Sequence, residues 1–141
     1  MFGSIYVGRF VSNLLLQEPV ITNVVGDRIA NIMVMPQGYT LPAILHYMES
    51  GSYDGVTYGE ITEQDIQYVV RIACEGESTV PILAAAEKIV ETLNNSIGSV
   101  DGYYINGHAV GEWPITTLIE NGIIYRQLGT YFNFHVGVNY G

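Results

Sequence analysis

"DIQYVVRIACEGESTVPILAAAEKIVETLNNS", residues 65–96, carries in one run the two periods from which a layered fold is built. From Asp65 to Glu75 the residues alternate, with Ile66, Tyr68, Val70, Ile72 and Cys74 on one side and Gln67, Val69, Arg71, Ala73 and Glu75 on the other. That is the period of a strand. Past Gly76 the period lengthens. Ser78 or Thr79 offers a cap, Pro81 suits a first helical turn, and Ile82, Ala86, Ile89, Val90 and Leu93 form an apolar stripe that stops at Asn94 and Asn95. A strand leading into an amphipathic helix lays the helix on one face of a sheet.

Upstream, residues 4–17 place Ile5, Phe10, Leu14 and Leu15 at helical spacing, with Ser4 as N-cap and Pro19 just past the end. "VITNVVGDRI" reads as a short helical turn stopped by Gly26, and "NIMVMP", residues 31–36, as a short strand closed by Pro36. A second strand is expected over 43–50, with Ile44, His46 and Met48 on one face and Leu45, Tyr47 and Glu49 on the other. The Gly- and Tyr-rich segment 51–64 is expected to be a long loop or a hairpin arm, and so a candidate contact element.

Downstream, residues 101–138 hold no helical period but many β-branched and aromatic residues. Asn106-Gly107 and Asn121-Gly122 are hairpin signals, which predicts strands over about 101–105, 108–120 and 123–138. In the last, Ile124, Leu128, Phe132, Phe134, Val136 and Val138 share one face, and Tyr125, Gln127, Tyr131, Asn133 and His135 the other. The expected architecture is a single α+β domain over 1–141, an antiparallel or mixed sheet with two main helices packed on it.

Composition restricts function. The chain of 141 residues is 48% hydrophobic and only 13% charged, which takes it far from disordered sequences. A surface so poor in charge suits burial against partners, the alternative being an ordinary globular protein with a quiet surface. Five basic residues against fourteen acidic ones give a net charge of −9, so extensive phosphate contacts are excluded. An acidic wall can still face DNA without holding it. A lone cysteine, Cys74, excludes an internal disulfide and fits a reducing cytosol, and its position on an apolar strand face suggests an inert buried thiol. The N-terminus lacks the layout of a signal peptide, and no apolar run is long enough to span a bilayer.

The chemical inventory is thin. No nucleophile elbow, phosphate loop or dinucleotide fingerprint occurs, and Lys88, the only lysine, falls in mid-helix. His46, His108 and His135 are spread over three expected strands without metal-ligand spacing; their convergence would define a small metal- or ligand-binding domain, the reading from another functional class. The pairs Glu60/Glu63, Glu75/Glu77 and Glu87/Glu91 read as solubilising charges. No catalytic residue, cofactor or metal is expected. The candidate interface residues are Arg28, beside the Gly26-Asp27 turn and expected to meet a carboxylate; Tyr53 and Tyr58 in the 51–64 segment; Trp113, before the strand-interrupting Pro114; and Tyr125 and Tyr131 on the polar face of the last strand. For Trp113, burial under a helix is the competing expectation.

The stretches "VVGDRIANIMVMPQGYTLPAILHY", "DIQYVVRIACEGESTVPILAAAEKIVETLN" and "IIYRQLGTYFNFHV" follow one another in an order that resembles the tail terminator, or tail completion, proteins of long-tailed bacteriophages. The resemblance rests on a Gly-Asp-Arg-Ile turn before a strand ending near a Pro, a strand-helix unit, and a closing aromatic strand. It spans nearly the whole chain, departing at 51–64 and in the Asn-Gly-punctuated tail. The resemblance implies a non-enzymatic virion subunit, assembled in the host cytoplasm, that forms a hexameric ring at the head-proximal end of the tail tube. Its implied partners are further copies of itself, the tail tube protein and the head-tail connector or stopper protein, with DNA passing through the lumen unbound. A neighbouring connector or neck protein is the closest alternative.

Overall fold

The computed structural model describes residues 2–36, 38–57 and 60–138, with backbone alone at 55–57. Three helices and six strands follow in the order α1 (Gly3–Leu16), α2 (Pro19–Val25), β1 (Ile29–Ala30), β2 (Ala43–Thr57), β3 (Glu60–Glu75), α3 (Val80–Leu93), β4 (Ser96–Val100), β5 (Tyr103–Glu120) and β6 (Ile123–Val138). The strands form one sheet in the order β1-β2-β3-β6-β5-β4, antiparallel except for the parallel β1–β2 pair. The expected α+β class holds, and the short helical turn expected before Gly26 is α2.

All three helices contribute to one core against one sheet face. Val7, Phe10, Val11 and Leu15 of α1, Ile21 and Val25 of α2, and Ile82, Ala85, Ile89 and Leu93 of α3 meet Ile44, Ile66, Tyr68, Val70, Ile72, Phe132, Phe134 and Val136. Each fully buried large apolar side chain contributes roughly 1.5–3 kcal/mol relative to exposure. The alternation read in β3 is therefore the real division between faces. In α3 the buried stripe centres on Ala85, with Ala86 and Val90 at its margin.

Several local expectations change. Ser4 lies inside α1, whose N-cap is Phe2. Residues 31–36 form no strand: only Ile29–Ala30 pairs with β2, and Met33 and Val34 are exposed. With no neighbour to complete a ladder there, β propensity has nothing to act on. Within the 51–64 segment the described residues are strand rather than loop, because β2 and β3 stay paired from Ala43↔Ala73 out to Thr57↔Glu60. Asn106-Gly107 is not a turn. The turn falls at Asp101-Gly102, where both residues have positive φ, and β5 runs straight through Gly107. Gly107 is glycine because the Phe134 ring lies where its Cβ would be. Asn121-Gly122 does make the expected turn, again with φ positive at both positions.

Candidate interaction surface

The sheet face turned away from the helices is built from the other half of the same alternation. Arg71 and Trp113 both lie opposite Gly129 on the intervening β6, one in β3 and the other in β5. A Cβ at 129 would come within 3.1 Å of both the Arg71 and Trp113 Cβ atoms. Glycine there lets the two side chains meet across the strand. The Arg71 guanidinium sits 5.4 Å from the Trp113 ring centroid and 5.3 Å from that of Tyr47, and donates to the Met33 carbonyl. A cation between two rings gains about 0.5–2 kcal/mol per ring. The stack also places the segment after β1 against this face. Beneath it Leu45, Val69 and Ala73 are almost fully buried.

The sequence candidates fall at different places around this face. Trp113 is half-buried in the stack, neither free nor under a helix, and the register shift between Trp113 and Thr116 is the expected Pro114 bulge. Tyr131 and Tyr125 are half-buried on β6, opposite Val69 and Glu75. Tyr53 is exposed on the β2–β3 arm. Tyr58 lies outside the described residues. Among the described residues Arg28 meets no carboxylate of its own chain: its Nε donates to the Pro42 carbonyl at 2.9 Å and its Nη2 to the Val24 carbonyl at 3.5 Å. The side chain joins the end of α2 to the start of β2, where backbone acceptors are the groups within reach.

Two long strand edges stay open among the described residues. β1 covers β2 only at Ile44 and Leu45, and β4 covers β5 only from Tyr103 to Gly107. The outer stretches of β2 and β5 therefore present unpaired backbone groups. The β5–β6 hairpin ends in an apolar tip, with Ile115, Leu118, Ile119 and Ile123 between 41% and 70% exposed. At its root, a groove of about 470 Å³ runs between α3 and the sheet, lined by Leu83, Ala86, Val90, Val110 and Leu128. A second cleft of about 750 Å³, lined by Pro36, Tyr39, Pro42, Glu75, Glu120 and Tyr125, lies at the β3–β6 end near the base of the Asn121 turn.

The three histidines do not converge. His46 is fully buried on the helix-facing side, its Nδ1 2.6 Å from the Tyr68 hydroxyl and its Nε2 2.9 Å from Ser12 Oγ. Burial holds its pKa down at about 4 and pushes that of Tyr68 up. His108 is exposed on β5, whereas His135 lies on the opposite sheet face from His46, against Asp65. Cys74 is buried as expected, and burial raises its thiol pKa. No described helix is long and apolar enough to cross a membrane.

No protein-family profile matches the chain, and no curated protein sequence matches it. Among solved structures, a chain from the virion of a native gene transfer agent particle superposes with a TM-score of 0.63 at 14% identity, over 97% of this chain and 99% of that one. The two share a fold. At that identity the likeness concerns backbone architecture, and it covers helices, sheet and hairpin arms together.

Sequence reasoning did not single out Tyr47 and Arg71, although it placed Arg71 opposite the apolar face of its strand and Tyr47 opposite Ile44 and His46. Their meeting with Trp113 depends on the β3-β6-β5 strand order, which no local pattern encodes.

Proposed function

We propose that the protein is a structural virion subunit that assembles into a ring, of the tail terminator kind, at the head-proximal end of a phage tail tube. The observation that carries this reading is the end-to-end likeness of fold to a virion chain, with almost nothing left over on either side. The open edges of β2 and β5 and the apolar tip of the β5–β6 hairpin support self-assembly. An edge on one copy meeting a different surface on the next is a heterologous contact, and such contacts close into rings when the rotation permits. The net charge of −9 per chain supports a lumen that DNA passes without sticking. In this reading the ring ends tube growth and offers its other side to the connector or stopper protein, and it performs no chemistry.

Electron microscopy of the purified chain, alone and with polymerising tail tube protein, tests the proposal. Rings alone, and tubes capped at one end with the chain present, are expected. A protein that stays monomeric at high concentration and leaves tube length unchanged would overturn it. Rings that bind a portal complex but ignore tubes would instead identify a connector.

A further inference from the structure

Asp54, Asp65 and His135 come from three adjacent strands, and each offers one ligand atom within 4.8 Å of the other two. Asp65 stands opposite His135 in the β3–β6 ladder, its Oδ1 2.8 Å from Nδ1. Asp54 is the residue that the β2–β3 ladder skips between Tyr53 and Gly55, and a bulge of this kind re-aims a side chain. Glu63 Oε1 lies 3.6 Å from Nε2, on the far side of the same ring. Three carboxylates thus surround one imidazole.

The chain's five basic side chains are placed elsewhere. Arg9 pairs with Asp101 and Lys88 with Glu91 and Glu18; Arg28 and Arg71 are held by carbonyls and aromatic rings, and Arg126 sits opposite Cys74. Among the described residues His135 is the one potentially cationic side chain that meets these carboxylates, fewer positive charges than carboxylates, which favours a further cation among them. The donor set selects its kind. One imidazole nitrogen with two carboxylate oxygens suits Zn²⁺ and similar first-row ions, whereas Mg²⁺ and Ca²⁺ favour oxygen alone. A carboxylate at the second ring nitrogen is the common outer support of a metal-bound histidine, and Glu63 Oε1, 3.6 Å from Nε2, takes that place after a small side-chain shift.

We propose that Asp54, Asp65 and His135 bind one first-row divalent cation, Zn²⁺ by its donor set, with Glu63 orienting the imidazole. The ion ties the β2–β3 arm to β6 and fixes the direction in which the arm leaves the sheet. All ligands belong to one chain, so the site is independent of ring formation.

The test titrates ZnCl₂ into the untagged, chelator-treated chain by calorimetry, with a thermal melt and the His135 imidazole NMR signals as further readouts. One Zn²⁺ per chain, a raised Tm and shifted His135 signals are expected. His135→Gln and Asp54→Asn should each weaken binding at least about ten-fold and Glu63→Gln about ten-fold, the range seen on losing a metal's supporting groups. His108→Gln should leave binding unchanged. Absence of binding, wild-type affinity in His135→Gln, or equal competition by Mg²⁺ would overturn the site. Should His135→Gln fail to fold, Asp54→Asn decides, because Asp54 is exposed on the arm: an unchanged affinity there refutes the proposal.

Discussion

Acidification should weaken the fold through one side chain. His46 is fully buried between Ser12 and Tyr68, and burial lowers its pKa from 6.5 to about 4. Well above pH 6.5 the ring is neutral in both folded and unfolded chains and its titration costs nothing. As the pH falls from 6.5 towards 4, the unfolded chain takes up a proton that the folded chain refuses, so stability declines across that window. At 1.36 kcal/mol per unit, a gap of 2.5 units amounts to about 3 kcal/mol lost by pH 4. Urea unfolding at fixed protein concentration, repeated between pH 7.5 and 4, measures the loss. His46→Gln supplies the control, since its amide can still reach Tyr68 or Ser12 but does not titrate in this range. Other groups contribute equally to both profiles, so the wild-type curve should fall by about 3 kcal/mol more than the variant's. Parallel curves would refute the reasoning, as would an imidazole NMR titration that places the His46 midpoint near 6.5.

Gly107→Ala should destabilise the chain by about 1–3 kcal/mol in chemical denaturation, because its methyl group must displace the Phe134 ring from a packed core. A double-mutant cycle of Arg71→Met and Trp113→Ala should return a coupling of about 1 kcal/mol from the stack, measured by the same denaturation. Ile119→Asp, at a hairpin-tip residue 70% exposed, should leave the melting temperature of the unassembled chain nearly unchanged while abolishing rings in light scattering and micrographs. Rings that persist in Ile119→Asp would remove the tip from the interface.

Much of this molecule can be read along the chain. The alternation from Ile66 to Cys74 and the stripe from Ile82 to Leu93 assigned strand, helix and buried face together, since period and burial are two results of one amphipathic pattern. The Asn121-Gly122 turn was legible because positive φ is a local property of the two residues that adopt it. Asn106-Gly107 carried the same signal and formed no turn. There a ring donated by Phe134, nearly thirty positions later, required a residue without a side chain, and packing overrode local preference. Met33 and Val34 likewise have strand propensity but no neighbouring strand to pair with.

The surfaces most relevant to function depended on strand order. Arg71 could be assigned to the non-core face from its own strand, but its place between Tyr47 and Trp113 required β6 to lie between β3 and β5. Asp54, Asp65 and His135 are brought together by the same ordering and by a bulge. By itself, then, the sequence determined the class of fold, most of its longer elements and, in the strand from Ile66 to Cys74, which side is buried. Only the tertiary structure decided which strands are neighbours, which edges stay open and which polar groups meet, because those contacts join residues far apart in a chain whose local patterns specify period and face but not partner.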